Sequence, residues 1–197
     1  MVAMKKEITP ADILPYETYA KERKERRAAI TAMKKNRRVE VGPYATFYFE
    51  NYDTMFQQVQ EMLHIEKGGA EQLADELHAY NPLIPQGNEL VATIMFEIND
   101  PVRRDAFLRS ITWVEKHLHI DVGGEKVIGE AETDVERTKA DGKTSSVHFV
   151  HFRFTPGQIE KFRDPATQVM AVIAHENYHH MAVMQPQVKE ALAKDFD

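Results

Sequence analysis

Apolar residues along this chain recur at two spacings, and the switches between them divide it into helices and strands. Over residues 16–35 a thin stripe of Tyr16, Tyr19, Ala20, Ile30 and Met33 predicts a helix. Upstream, Thr9-Pro10 supplies a cap and a first helical residue, and Pro15 restarts the element. "RVEVGPYATFYFEN" is rich in β-branched and aromatic residues and predicts a strand interrupted at Gly42-Pro43. A helix follows in "YDTMFQQVQEMLHIEK", with Met55, Phe56, Val59, Met62 and Leu63 on one side. A second, over 70–80, stops at Asn81-Pro82.

"ELVATIMFEI" predicts a strand whose face of Leu90, Ala92, Ile94, Phe96 and Ile98 is wholly apolar, while Val91, Thr93, Met95 and Glu97 form a mixed face. Asp100-Pro101 opens a helix expected to carry Phe107, Ile111, Val114 and Leu118 along one stripe. "HIDVGGEKVIGE" predicts a hairpin through Gly123-Gly124, and Asp141-Gly142 a turn into "KTSSVHFVHFRF". Thr155-Pro156 caps a short helix, and a terminal helix starts near Pro186. Between them, "TQVMAVIAHENYHHMAVM" suits a strand as well as a helix. The expected fold is one α+β domain over 1–197. It has a largely antiparallel sheet of five to six strands with flanking helices, and residues 1–38 form a basic helical arm.

The absence of cysteine removes disulfides, thiolate metal sites, iron–sulfur ligation and a cysteine nucleophile. A metal would have to be held by His, Asp or Glu, which suits zinc, iron or manganese. The N-terminus has no apolar run of signal-peptide length, and the longest anywhere, 169–174, falls far short of the ~20 residues that span a bilayer. The expectation is a cytoplasmic protein with no membrane contact. Charge is uneven, since residues 1–38 carry eleven Lys/Arg against five acids while the remainder is strongly acidic. Glu22 and Glu25 interrupt the basic run, and no aromatic platform accompanies it. A solvated helix against an acidic body therefore outweighs a nucleic-acid interface.

Three constellations could carry chemistry. His175-Glu176-x-x-His179 has the letters of a zinc-hydrolase helix, in which the histidines bind the ion and Glu176 acts as general base. On a strand the two histidines would stand ~13 Å apart and could not share an ion. Glu61/His64 and Glu176/His179 form two Glu-x-x-His pairs of the kind found in di-iron helix bundles, but the strand content argues against a bundle. Glu50, Asn51, Asp53, Gln57, Gln60 and Glu61 cluster where a strand hands over to a helix. They read either as a small-ligand site or as an N-cap followed by a solvated helix face. His148 lies on an apolar strand face, where a hydrogen-bonded core histidine is commoner than a ligand. No phosphate loop, nucleophile elbow or dinucleotide fingerprint occurs.

The stretches "RRVEVGPYATFYFENYDTMFQQVQEM", "ELHAYNPLIPQGNELVATIMFE", "SSVHFVHFRFTPGQIEKF" and "AHENYHHMAVMQPQVKEALAKDF" resemble, in order, a family of uncharacterised bacterial proteins. It is catalogued as a domain of unknown function and often encoded beside rubrerythrin and a cysteine-rich iron–sulfur oxidoreductase. The resemblance covers residues 8–196 and implies no activity. In the family the last stretch typically reads Asp-His-Pro-x-Tyr-x-His, matching His175, Tyr178 and His180. Glu176 stands where the family has proline, and His179 is not a family feature. The resemblance thus implies an accessory or binding protein serving a rubrerythrin-linked peroxide or redox system, with rubrerythrin or the oxidoreductase as partner. It also points to a small site near His148, His175, Tyr178 and His180 that would take iron or zinc. The zinc hydrolase of His175, Glu176 and His179 is the alternative.

Overall fold

A computed structural model describes residues 5–132 and 137–197, so the first four residues of the basic arm lie outside it. Eight strands form one sheet: β1 (Arg38–Val41), β2 (Ala45–Glu50), β3 (Glu89–Phe96), β4 (Leu118–Val122), β5 (Glu125–Ala131), β6 (Val147–Arg153), β7 (Val169–His175) and β8 (Tyr178–Val183). Their order is β1-β2-β3-β6-β5-β4-β7-β8, and each neighbouring pair is antiparallel. The sheet curls until its two edge strands, β1 and β8, come into contact, giving a nearly closed barrel.

The expected five to six strands are therefore too few, because two segments are hairpins. Gly42, at φ +71°, folds "RVEVGPYATFYFE" back on itself, so the interruption at Gly42-Pro43 is a turn between β1 and β2. Glu176-Asn177 does the same between β7 and β8, and the stretch that suited either structure is strand on both sides.

Strand alternation sends Phe47, Phe49, Leu90, Ala92, Ile94, Val150 and Phe152 into the barrel, where they are fully buried. Both barrel ends are closed by helices. At one end α4 (Pro101–Ser110) brings Phe107 against Phe96 and Tyr178, with ring centroids 5.6 and 5.4 Å apart. At the other, α5 (Pro156–Arg163) and the segment after α6 (Pro186–Leu192) pack Phe162 and Phe196 around Phe154. The helix expected to run on to Leu118 ends at Ser110. Trp113 takes a left-handed conformation (φ 62°), a 3-10 turn spans Val114–His117, and Leu118 opens β4. Ile111, Val114 and Leu118 still reach the core, so burial was legible there and backbone shape was not.

A helical layer of α1 (Tyr16–Lys34), α2 (Tyr52–Glu66) and α3 (Gly69–Tyr80) covers the outer face of β2, β3 and β6. Its own small core joins Ile8, Met55, Val59, Leu83 and Ile84 to the outward-facing Val91. The basic arm is thus packed rather than free. Tyr19 of α1 donates to Glu61 at 2.5 Å, and Arg23 grips the same carboxylate with two bonds of 2.9 Å. Beyond α1, the buried Arg37 is bonded to the carbonyls of Phe49 and Glu50 and to the buried Asp195.

Candidate functional site

The zinc-like letters fall across the β7–β8 turn. His175 pairs with Tyr178, Ala174 with His179 and Ile173 with His180. His175, Tyr178 and His180 therefore share the inward face, and the exposed His179 points away from them. Glu176 sits exposed in the turn itself. His175 has no free nitrogen, because Nε2 meets the Thr112 carbonyl at 3.1 Å and Nδ1 accepts from Asn177 N–H at 3.2 Å. The Tyr178 hydroxyl is likewise saturated. It donates to the Val41 carbonyl at 2.8 Å and accepts from the N–H groups of Tyr44 and Ala45 at 3.0 and 3.1 Å. His180 lies beside it, with ring centroids 4.4 Å apart.

His148 is fully buried in a different cluster. Its Nε2 meets the Ser145 carbonyl at 2.9 Å, while Nδ1 has no hydrogen-bond partner and lies 3.9 Å from Glu115 Oε2. Burial lowers its pKa, against the pull of Glu115. Thr138 occupies the Glu115 carboxylate at 3.1 Å and Thr144 at 3.5 Å. His148, His175 and His180 thus serve separate sets of neighbours. Among the described residues no three His, Asp or Glu side chains converge as a metal site would require.

The acidic and amide cluster at 50–61 separates into three parts. Asn51 caps α2 by accepting from Thr54 N–H at 3.0 Å, and Asp53 is exposed on the first turn. Gln57, Gln60 and Glu61 bind the N-terminal segment to α2: Gln57 Nε2 lies 2.5 Å from the Tyr19 hydroxyl, and Gln60 Oε1 accepts from Leu14 N–H at 2.7 Å. Arg23 holds the Glu61 carboxyl down at about 2, with Tyr19 assisting against the opposing effect of burial.

Glu50 alone is left for a ligand. Thr46, Tyr48 and Glu50 alternate along the outward face of β2, and Thr93 on β3 donates to Glu50 Oε1 at 2.7 Å. Glu50 is 6 % exposed, and its Oε2 is buried with no hydrogen-bond partner among the described residues. A buried carboxylate oxygen without a donor is costly, so something outside the chain is expected to satisfy it. It borders a pocket of about 330 Å³, at the lower end of the range for small-molecule sites. Tyr48, Thr93, Gln58 and Tyr80 supply neutral polar groups, each with a bond inside the chain (Tyr48 to Glu97, Thr93 to Glu50, Gln58 to Tyr80), and Lys34, from the last turn of α1, lines it too. Met55, Leu83, Met95 and Phe149 complete an apolar wall. Of these only Glu50 stands out in the sequence as a site residue. Period-two alternation puts Tyr48 with Glu50 on one strand face, but Lys34, Gln58 and Tyr80 arrive through helix packing that no local pattern reveals.

Two other places compare less well. A larger cleft of about 490 Å³ lies between α1, α2 and α3 and is mainly apolar. Of its polar groups Gln60 holds Leu14, while His64 stacks on Tyr16 at 4.9 Å and keeps Nδ1 buried without a hydrogen-bond partner, a smaller cost than an unmet carboxylate oxygen. His151, which no local sequence pattern marks, is clamped on both nitrogens, by Glu89 at 3.0 Å and Glu132 at 2.7 Å. Burial works against its charge, but the two carboxylates prevail and raise its pKa.

A search of curated proteins gave no match. A crystal structure of a novel protein of unknown function from Burkholderia pseudomallei K96243 is 34 % identical, with a TM-score of 0.89, over 96 % of this chain and 99 % of that one. The family model described as "Protein of unknown function (DUF3501)" matches residues 7–196. The chain therefore belongs to the DUF3501 family of proteins of unknown function.

Proposed function

We propose that this protein binds a small molecule in the pocket beside Glu50, and that the ligand carries a hydrogen-bond donor for Glu50 Oε2. The observation that carries the reading is the buried carboxylate oxygen with no hydrogen-bond partner among the described residues. The barrel interior is filled with side chains, so the ligand sits between barrel and helical layer. Native mass spectrometry of the protein isolated from cells tests this. Wild type should retain a low-mass ligand that Glu50→Gln, which keeps the shape and removes the charge, releases. Equal ligand content in both variants would refute the site.

A second reading concerns a protein partner. The gene neighbourhood that the resemblance implies favours rubrerythrin in that role. The outer face of β4, β5, β7 and β8 supports a docking surface at the two ends of a cross-strand row of Ile128, His119, Val172 and Met181, whose central His119 and Val172 are already buried within the chain. Ile128 and Met181 are each 58 % exposed at its ends. Purified rubrerythrin should bind wild type and lose at least ten-fold in affinity for Met181→Glu. Unchanged binding would remove this face from consideration, and no binding by wild type would remove rubrerythrin.

A further inference from the structure

We infer that the ligand of the Glu50 pocket is an apolar α-amino acid, held as a zwitterion with its ammonium on Glu50 and its carboxylate on Lys34. This assignment rests on the ligand-binding reading above and adds the chemical class.

Two opposite charges border the pocket, and neither forms an ion pair among the described residues. Glu50 Oε2 has no donor, while Thr93 occupies the other oxygen. Lys34 is half-buried on the last turn of α1, forms no ion pair among the described residues, and is the one cation lining this pocket. The remaining polar groups, on Tyr48, Gln58, Tyr80 and Thr93, are neutral.

This pattern discriminates between ligand classes. An anion alone would meet the Glu50 carboxylate, which repels it. A cation alone would satisfy Glu50 and leave Lys34 idle. A neutral molecule would form hydrogen bonds with only one ionised partner each, whereas a zwitterion pairs opposite charges at both ends. A zwitterion brings no net charge into the pocket and supplies a partner to each side. The apolar remainder, with Met55, Leu83, Met95 and Phe149 around it, then accommodates the side chain. Met55 and Met95 also give it unbranched, adaptable walls, which suit one size class of side chain better than a single shape.

The test is calorimetric titration of the whole chain near neutral pH with three probes of one skeleton. They are L-leucine, 3-methylbutan-1-amine, which lacks the carboxylate, and 4-methylpentanoate, which lacks the ammonium. Leucine should bind about ten-fold or more tightly than either, as the loss of one hydrogen bond between charged groups implies. Glu50→Gln should weaken both leucine and the amine, and Lys34→Met should lower leucine to the level of the amine while leaving the amine unchanged.

If the amine equals leucine, or Lys34→Met leaves leucine unaffected, the amino-acid assignment falls and the Glu50 site stands. If none of the probes binds while wild type still carries a ligand that Glu50→Gln releases, only the assignment falls. If no probe binds and no such ligand is found, both readings fall. Thermal denaturation of each variant alongside separates loss of binding from loss of fold.

Discussion

Tyr178 shows how much one side chain can be asked to do. Its hydroxyl reaches from β8 to the β1–β2 turn and bonds the backbone of Val41, Tyr44 and Ala45. No ladder joins β1 to β8, so this oxygen stands in for one at the barrel seam. Tight packing explains Gly42 as well, since a Cβ there would lie 2.7 Å from the Tyr178 hydroxyl and 2.6 Å from His180 Cγ. Tyr178→Phe keeps the ring and strands three backbone groups, so it should cost about 2–3 kcal/mol. Urea denaturation of the two proteins measures this, and a loss near zero would show that water replaces the hydroxyl. Two of the three residues that the resemblance singled out therefore have structural roles. His175 fixes the β7–β8 turn to the Thr112 carbonyl, and Tyr178 fixes β8 to β1.

Elements differ in how plainly they were written in the chain. α2 was legible because its apolar stripe and its Asn51 cap agree, and α5 because Thr155 and Gln158 form a capping box ahead of the helix. The β4–β5 hairpin was legible from Gly123-Gly124. The β7–β8 hairpin was not. Its turn residues, Glu176 and Asn177, carry no strong local preference, and the turn depends on His175 and on the distant Thr112 carbonyl. The candidate site was legible only at Glu50, because its other polar groups come from two helices and a second strand. α1 also takes its place from contacts distant in sequence. Glu61→Gln should weaken the grip of Arg23 and Tyr19, and amide hydrogen exchange over residues 16–34 should then rise several-fold while the barrel strands keep their protection. The same grip has a pH dependence. With the Glu61 pKa lowered to about 2, its contribution is full above the ordinary carboxylate range, and it is lost as pH falls toward that value.

Across the whole molecule, two buried histidines make stability depend on pH in opposite directions. The pKa of His151 is raised, so its contribution is full below about pH 6.5 and disappears as pH rises through the folded-state value. The pKa of His148 is lowered, so its environment favours the fold above about pH 6.5 and penalises it as pH falls. His151→Asn should therefore be most destabilising relative to wild type in mildly acidic solution, with the gap narrowing in alkali. Denaturation midpoints measured at several pH values test the sign, and a gap that widens with pH would contradict it. The seam between β1 and β8 has a consequence of another kind. Each edge strand offers a row of unpaired backbone groups, and in the closed barrel each row is screened by the other strand. Should the Tyr178 clasp open, both rows would become templates for strands of neighbouring molecules. A weakened clasp would then show itself first as self-association at high concentration, before any measurable loss of helix.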